Sequence, residues 1–264
     1  MFLFNRRFYI AIGEKITQFI KFFGGIAGLG VATLRLIPVK PYGAARVFEQ
    51  AKKIGVDSLP IVSLVSFFIG MIMALQTAYI MQKMSSEIYI ASIVAVSLTR
   101  ELGPVITALI VAGRSGAGIT AELGTMTVTE QVDALVTLGS NPIKYLVVPR
   151  FLSLTFMLPI LTIFANAIGI FGGYLLCVNR LSIRSSTYIN MTFQTLVYKD
   201  LFTGLIKTIF FGMIIALVAC HEGLTVKGGA EGVGKATTKS VVNTFIMIIA
   251  ADCFFTALFY FFLV

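Results

Sequence analysis

Charge, histidine, cysteine and tryptophan are what this sequence has least of. Only 12% of its 264 residues are Asp, Glu, Lys or Arg, while 57% are hydrophobic and the mean hydropathy is +0.92. A compact globule of that length could hardly hide so much apolar surface, which excludes an ordinary soluble domain and implies a polytopic membrane protein. There is one histidine, His221, followed by Glu222. With no second histidine, no HExxH and no nucleophile motif, a membrane enzyme working on lipid head groups through this pair is an alternative without further support. The three cysteines, Cys177, Cys220 and Cys253, stand singly with no CxxC spacing, so neither a disulfide framework nor a metal site is indicated. Tryptophan is absent, leaving interfacial anchoring to Tyr, Lys and Arg.

The formal charge of +9 does not point to nucleic acid, because the basic residues sit between apolar runs rather than in a patch beside a soluble fold. Predominantly apolar runs predict five spans, at 58–82, 88–113, 151–179, 201–220 and 240–264, each about as long as a bilayer crossing requires. Residues 1–57, 114–150 and 221–239 hold nine, three and three Lys or Arg, against four (Lys83, Arg180, Arg184, Lys199) in the intervening loops. The positive-inside rule then puts the N-terminus in the cytoplasm and the C-terminus outside.

Ahead of the first span, Arg6-Arg7 and the following apolar residues resemble a signal peptide, but Glu14 and Lys15 cut its core short. Phe8, Ile12, Ile16, Phe19 and Phe23 recur at helical spacing opposite Glu14, Gln18 and Lys21, which describes a helix lying in the membrane interface. A glycine-rich piece at 22–34 is too short to span and is closed by Pro38 and Pro41. The chain thus reads as one domain, with 1–57 interfacial and cytoplasmic and 58–264 a five-span bundle.

The second span carries the sharpest anomaly. Arg100 and Glu101 stand at its midpoint, followed at once by Gly103-Pro104. A charge at the bilayer centre costs roughly 3 kcal/mol even on lenient scales, so a pair there asks for a functional reason. Pro104 cannot donate to the Arg100 carbonyl, which predicts a helix broken where it is charged. Arg100 and Glu101 point about 100° apart on a helix, so each needs another partner. Asp252, at the midpoint of span five, is the expected partner of Arg100. On the first span, Met73, Thr77, Met81 and Met84 form a helical stripe whose methionines suit acyl chains. Lys207 lies near one end of span four, where it is expected to snorkel.

Small residues at every fourth position, Ala112, Gly116, Thr120 and Gly124, and again Ala165, Gly169 and Gly173, predict close helix packing. Thr127-Val128-Thr129-Glu130 matches a capping box and predicts a short amphipathic helix in the loop, with Glu130, Asp133 and Thr137 on its polar side and Gly139 and Asn141-Pro142 ending it. Gly229 to Lys235 looks like a phosphate-binding loop until Ala236, which stands where Ser or Thr should hold magnesium, so a flexible glycine-rich loop over 221–239 is expected instead. The glycines of 113–118 are in reversed order for a dinucleotide fingerprint.

Taken together, Arg100-Glu101-Leu102-Gly103-Pro104, Ala112-Gly113-Arg114, Ala121-Glu122-Leu123-Gly124, Thr129-Glu130-Gln131, Asn141-Pro142, Val148-Pro149-Arg150 and Lys235-Ala236-Thr237-Thr238 resemble the MlaE/YrbE-type permeases of ABC transporters associated with MCE proteins, which move lipids between membranes of the bacterial envelope. The resemblance implies an inner-membrane homodimer, a cytoplasmic ATPase pair that binds the ATP, a periplasmic MCE-domain partner and often a STAS-domain subunit. It also implies that Arg100 and Glu101 face a lipid cavity at the dimer interface; Leu102, by adjacency, and part of the Met73, Met81, Met84 stripe are expected to line it with them. The helix around 127–138, with Thr129, Glu130 and Asp133, would couple to the ATPase. An ion-coupled transporter using Glu101 and Asp252 as proton carriers is the alternative from another class, though no internal repeat between the halves supports it.

Overall fold

The computed structural model describes residues 2–38 and 43–263, and among these it holds helices, turns and short connections but no strand. Five helical stretches are long and apolar enough to cross a membrane: Ala44–Lys83, Glu87–Val128, Ile143–Arg180, Tyr198–Leu224 and Gly229–Phe261. Helices satisfy every backbone group within the segment, the condition for crossing hydrocarbon, and the protein is an all-α multi-pass membrane protein.

The chain opens with α1 (Phe2–Leu36). Span one joins α2 (Ala44–Gly55) to α3 (Leu59–Lys83) through a single 3₁₀ turn, with Pro60 in the first turn of α3, where a missing N–H costs nothing. Span two is α4 (Ile90–Ser97), α5 (Gly103–Val111) and α6 (Ala117–Val128). A short α7 (Gln131–Thr137) leads to span three, α8 (Val148–Arg180). Beyond it α9 (Ser185–Thr195) connects to span four, α10 (Tyr198–Leu224), and α11 (Gly229–Leu263) is span five.

Several elements differ from expectation. The two pieces expected before span one are a single helix, α1, because no proline falls between Phe22 and Leu36 and two of the glycines there find partners. Gly25 lies against the His221 ring, and a Cβ on Gly30 would stand 3.3 Å from Leu217. Ile16 and Phe23 of the apolar stripe are exposed, whereas Ile26 and Thr33 are buried. The side chains of Phe8, Ile12 and Phe19, and Pro41, lie outside the described residues.

Span two is not broken at its charges. Leu98–Leu102 forms one π-helical turn, with the Gly103 N–H donating to the Leu98 carbonyl, and the chain runs on as helix. The wider turn absorbs the donor that Pro104 lacks, the usual way a π-bulge accommodates an interruption. A second π turn covers Ala112–Gly116 and a third, Ile143–Val147, introduces α8. The capping box is not formed either. Thr127 and Thr129 donate back to the carbonyls of Leu123 and Thr125 at 2.9 and 2.8 Å, closing α6, and Glu130 adopts φ 59° before α7 begins at Gln131. Gly139, at φ 72°, ends α7 in the left-handed region that favours glycine. Asn141 caps the third π turn, since its Oδ1 accepts the N–H groups of Ile143 and Lys144. The expected glycine-rich loop shrinks to 225–228, and Gly229 to Lys239 is already helix, with Glu231 and Lys235 paired at 2.6 Å across one turn.

Glycines set how the spans meet. A Cβ on Gly70 would run into the Gly169 carbonyl, one on Gly204 into the Thr99 carbonyl, and one on Gly212 would stand 2.6 Å from the Leu154 carbonyl oxygen. The small-residue stripe of α6 receives α10 and α11, with Thr120 donating to the Ala219 carbonyl and sharing a hydrogen bond with Ser240. The main core then gathers Val111, Leu123, Phe151, Leu154, Leu158, Phe211 and Ile215 at the centre of the bundle.

Candidate functional site

Three spans converge on one lysine. Lys207 of α10 is 1% exposed and does not snorkel: its ammonium donates to Glu101 Oε2 of span two at 2.5 Å, to Asp252 Oδ1 of span five at 3.0 Å and to Thr256 Oγ1 at 2.7 Å. Thr256 in turn bonds Glu101 Oε2 at 3.1 Å, closing a ring. All three ammonium hydrogens are thereby used. The expected Arg100–Asp252 pair is not formed. Arg100 reaches Asp200, in the first turn of α10, at 3.6 Å, and Asp252 belongs to Lys207. The correction has a simple cause: two residues at the midpoints of their own spans share a depth, but the 100° between Arg100 and Glu101 turns Glu101 toward α10 and α11 and Arg100 toward the start of α10. Asp200 also accepts the Val197 N–H, so it is held in place by its own backbone.

The backbone positions these groups closely. The π turn at Leu98–Leu102 carries Arg100 and Glu101, Gly204 lets α10 approach Thr99, and Gly103 makes room for the buried Asn166 amide, whose Oδ1 has no hydrogen-bond partner. Exposure grades across the cluster, from Lys207 at 1% and Asp200 at 14% through Asp252 at 21% to Glu101 at 37% and Arg100 at 39%. The floor is therefore a buried cation, and the rim offers a carboxylate and a guanidinium to whatever lies beside it. Leu102, Met73 and Met81 pack against a second apolar cluster built on Ala74, Ile90, Val94 and Leu98, while Met84, just past the end of α3, is 66% exposed and stands apart.

Sequence reasoning missed Lys207, Asp200 and Thr256. A signal was present: Asp200, Gly204 and Lys207 recur at helical spacing, so one face of span four carries both charges and a glycine.

A second ionic centre sits toward the other end of the bundle. Arg150, 5% exposed, pairs with Glu122 at 2.7 Å and donates to the Leu146 carbonyl, and Lys53 joins Glu122 at 3.1 Å. Nearby, Arg114 bonds Ser58 Oγ at 2.9 Å and faces Asp57 at 3.8 Å, tying the second π turn to span one. On α7, Val132 and Leu135 pack inward, while Val136, Leu138, Glu130 and Asp133 are exposed, as is Thr129 before it. His221 and Glu222 do not form a joint site: the His221 ring packs on Phe22, and Glu222 is held by Lys239 and Asn243. Among the described residues no three His, Cys, Asp or Glu side chains gather as a metal site.

A sequence profile described as Permease MlaE matches residues 47–258, reaching into all five spans and containing both ionic centres. The chain belongs to the MlaE permease family. Relatives agree with this placement. A probable ABC transporter permease protein of Rickettsia conorii is 42% identical over 250 residues, covering 95% of this chain and 96% of its own. One from Synechocystis is 40% identical over 206 residues, 78% of each chain. The intermembrane phospholipid transport system permease protein MlaE of Haemophilus influenzae is 32% identical over 252 residues, 95% of this chain and 97% of its own. Within the MlaE family the chain is thus an ABC transporter permease subunit, in which Glu101 and Asp252 share the one lysine.

Proposed function

We propose that this permease moves phospholipid, or a closely related lipid, between the inner membrane and a periplasmic MCE-domain protein. A separate cytoplasmic ATPase binds the ATP and drives transport, the permease works as a homodimer, and a STAS-domain subunit is a further candidate partner. In this reading the N-terminus is cytoplasmic, the C-terminus is periplasmic and α1 lies in the interface. The observation that carries it is the cluster around Lys207, where three spans bring charges together inside an apolar bundle at a cost that asks for a functional reason. Counting Arg100, Lys207, Glu101, Asp200 and Asp252 as ionised, the cluster holds two cations and three anions. A zwitterionic head group complements that set, its phosphate toward Arg100 and its amine toward Glu101. Leu102, Met73 and Met81 line the path of the acyl chains, with Met84 at its edge. Span five exposes Ile246, Ile249 and Phe254 around Asp252, which suits a second copy closing the open side of the cluster.

Photocrosslinking tests the lipid site. Crosslinkers at 101 and 102 are expected to capture lipid several-fold more strongly than one at Phe156, a 65% exposed position on α8. Equal labelling at all three would remove the site.

Coupling is assigned to α7 and its flanks. Val136 and Leu138 provide an exposed apolar face, and Glu130, Asp133 and Thr129 a polar rim, on an element that contributes little to the core. The double charge reversal Glu130→Lys/Asp133→Lys is expected to abolish co-purification of the ATPase while the permease still inserts and elutes as a folded species. Undiminished co-purification would place the coupling surface elsewhere.

A further inference from the structure

At the end of the bundle that bears α2 and α7, two cavities meet at the same pair of cations. One, of about 230 Å³, is apolar and runs between α2 and the start of α8, with Leu36, Val47, Phe48, Pro149 and Leu152 in its wall. The other, of about 360 Å³, is more polar and lies over the turn from Gly139 to Tyr145. Arg46 and Lys144 line both, each half-buried, and among the described residues no Asp or Glu lines either.

The polar cavity is equipped for an anion. The Arg46 guanidinium is laid over the Tyr145 ring, 3.9 Å from its centroid, which fixes a long side chain that would otherwise be free to wander. Asn141 spends its carbonyl oxygen on the N–H groups of Ile143 and Lys144, so its NH₂ is the end left to a ligand. The Arg46 guanidinium and the Asn141 amide offer donors there and Lys144 adds a second basic side chain, whereas the neighbouring cavity offers hydrocarbon, including Phe48 at 76% exposure. An amphiphile with a negative head fits both; a soluble anion would use only one. Arg46 lies on α2, ahead of the apolar run at 58–82, and Lys144 lies ahead of the run at 151–179, so both stand toward the end of the bundle where these two spans leave the hydrocarbon and head-group phosphates gather.

We propose that these joined cavities bind one anionic phospholipid of the leaflet on that face, its phosphate between Arg46 and Lys144 and an acyl segment against Phe48 and Leu152. This site is distinct from the Lys207 cluster. Gly169 packs on Leu98 beside that cluster, and Lys144 is 25 residues earlier along the same helix, about 37 Å away at 1.5 Å per residue. The bound lipid ties α2 to the turn after α7, and it does so whether or not the Lys207 cluster carries substrate.

The test uses the full chain, purified in detergent and stripped of lipid, then titrated with phosphatidylglycerol or phosphatidylcholine of the same acyl chains and read by native mass spectrometry. Saturable phosphatidylglycerol binding is expected, and Arg46→Gln/Lys144→Gln is expected to weaken it about 30-fold, the effect of two cations near a lipid surface. Lys21→Gln/Lys52→Gln removes the same charge elsewhere and is expected to leave binding as it was. Ala44→Trp fills the mouth of the apolar cavity from an exposed position without changing charge, is expected to weaken binding as well, and decides the matter alone if the double variant does not fold. Four results would overturn the proposal: equal affinity for the two lipids, wild-type affinity in both cavity variants, equal loss in the charge control, or displacement of the lipid by inorganic phosphate at matching concentration.

Discussion

Lys207→Met is expected to unfold a large share of the permease, although it makes the sequence more hydrophobic. The substitution strands Glu101 and Asp252 with no cation and leaves Thr256 without its donor. Removing one member of a buried ion cluster costs about 3 to 5 kcal/mol, because the remaining charges keep their desolvation penalty without its compensation. Removing the whole cluster is a different matter. Lys207→Met/Glu101→Gln/Asp252→Asn is expected to melt near wild type in detergent while transferring no lipid when reconstituted with its ATPase, which separates the stability of the cluster from its use. Arg100→Gln sets the scale for a weaker partner: the Arg100–Asp200 pair is 3.6 Å long and Arg100 is 39% exposed, so about 1 kcal/mol or less is expected. Should Lys207→Met melt with the wild type, the cluster does not hold the spans together.

The spans could be read from the sequence because hydrocarbon imposes a length and forbids charge, and both constraints are local. The fine geometry of span two could not, since the consequence of Pro104 depends on whether neighbours supply room for a wider turn, and that room comes from Gly103 against Asn166. Lys207 shows the same limit. Counted along its own apolar run it stands near an end, but α10 is set against span two so that Gly204 meets Thr99, which brings Lys207 level with Glu101. Depth in a bundle is a property of the packing, and the sequence of one helix does not contain it. Gly229 to Lys239 misleads for a related reason: glycine lowers helix propensity by about 1 kcal/mol per residue in isolation, while here the helix is continued by α11 and packed on α6 through Thr120 and Ser240. The resemblance, by contrast, rests on short motifs spread from Arg100 to Thr238, and residue types at fixed spacing are legible without knowing how the helices pack.

Glu122→Ala is expected to have an effect second only to that of Lys207→Met, and its consequence reaches the coupling segment. Arg150 is 5% exposed, and its Nε already lacks a partner, so losing Glu122 leaves a buried guanidinium held only by the Leu146 carbonyl. A loss of about 3 kcal/mol is expected from stranding that charge. Lys53→Ala removes the other partner of Glu122 from a side chain that is 61% exposed, and about 1 kcal/mol or less is expected. Adding Arg150→Met to Glu122→Ala should recover part of the loss, because the uncompensated charge goes with it. Glu122 lies in α6 and Arg150 at the start of α8, so the pair clamps the two ends of the segment that presents α7. Releasing the clamp is expected to expose 129–147 to limited proteolysis and to lower ATPase stimulation at temperatures where the spans are still folded. If cleavage and stimulation change only as the whole protein melts, the pair stabilises the bundle and has no separate part in coupling.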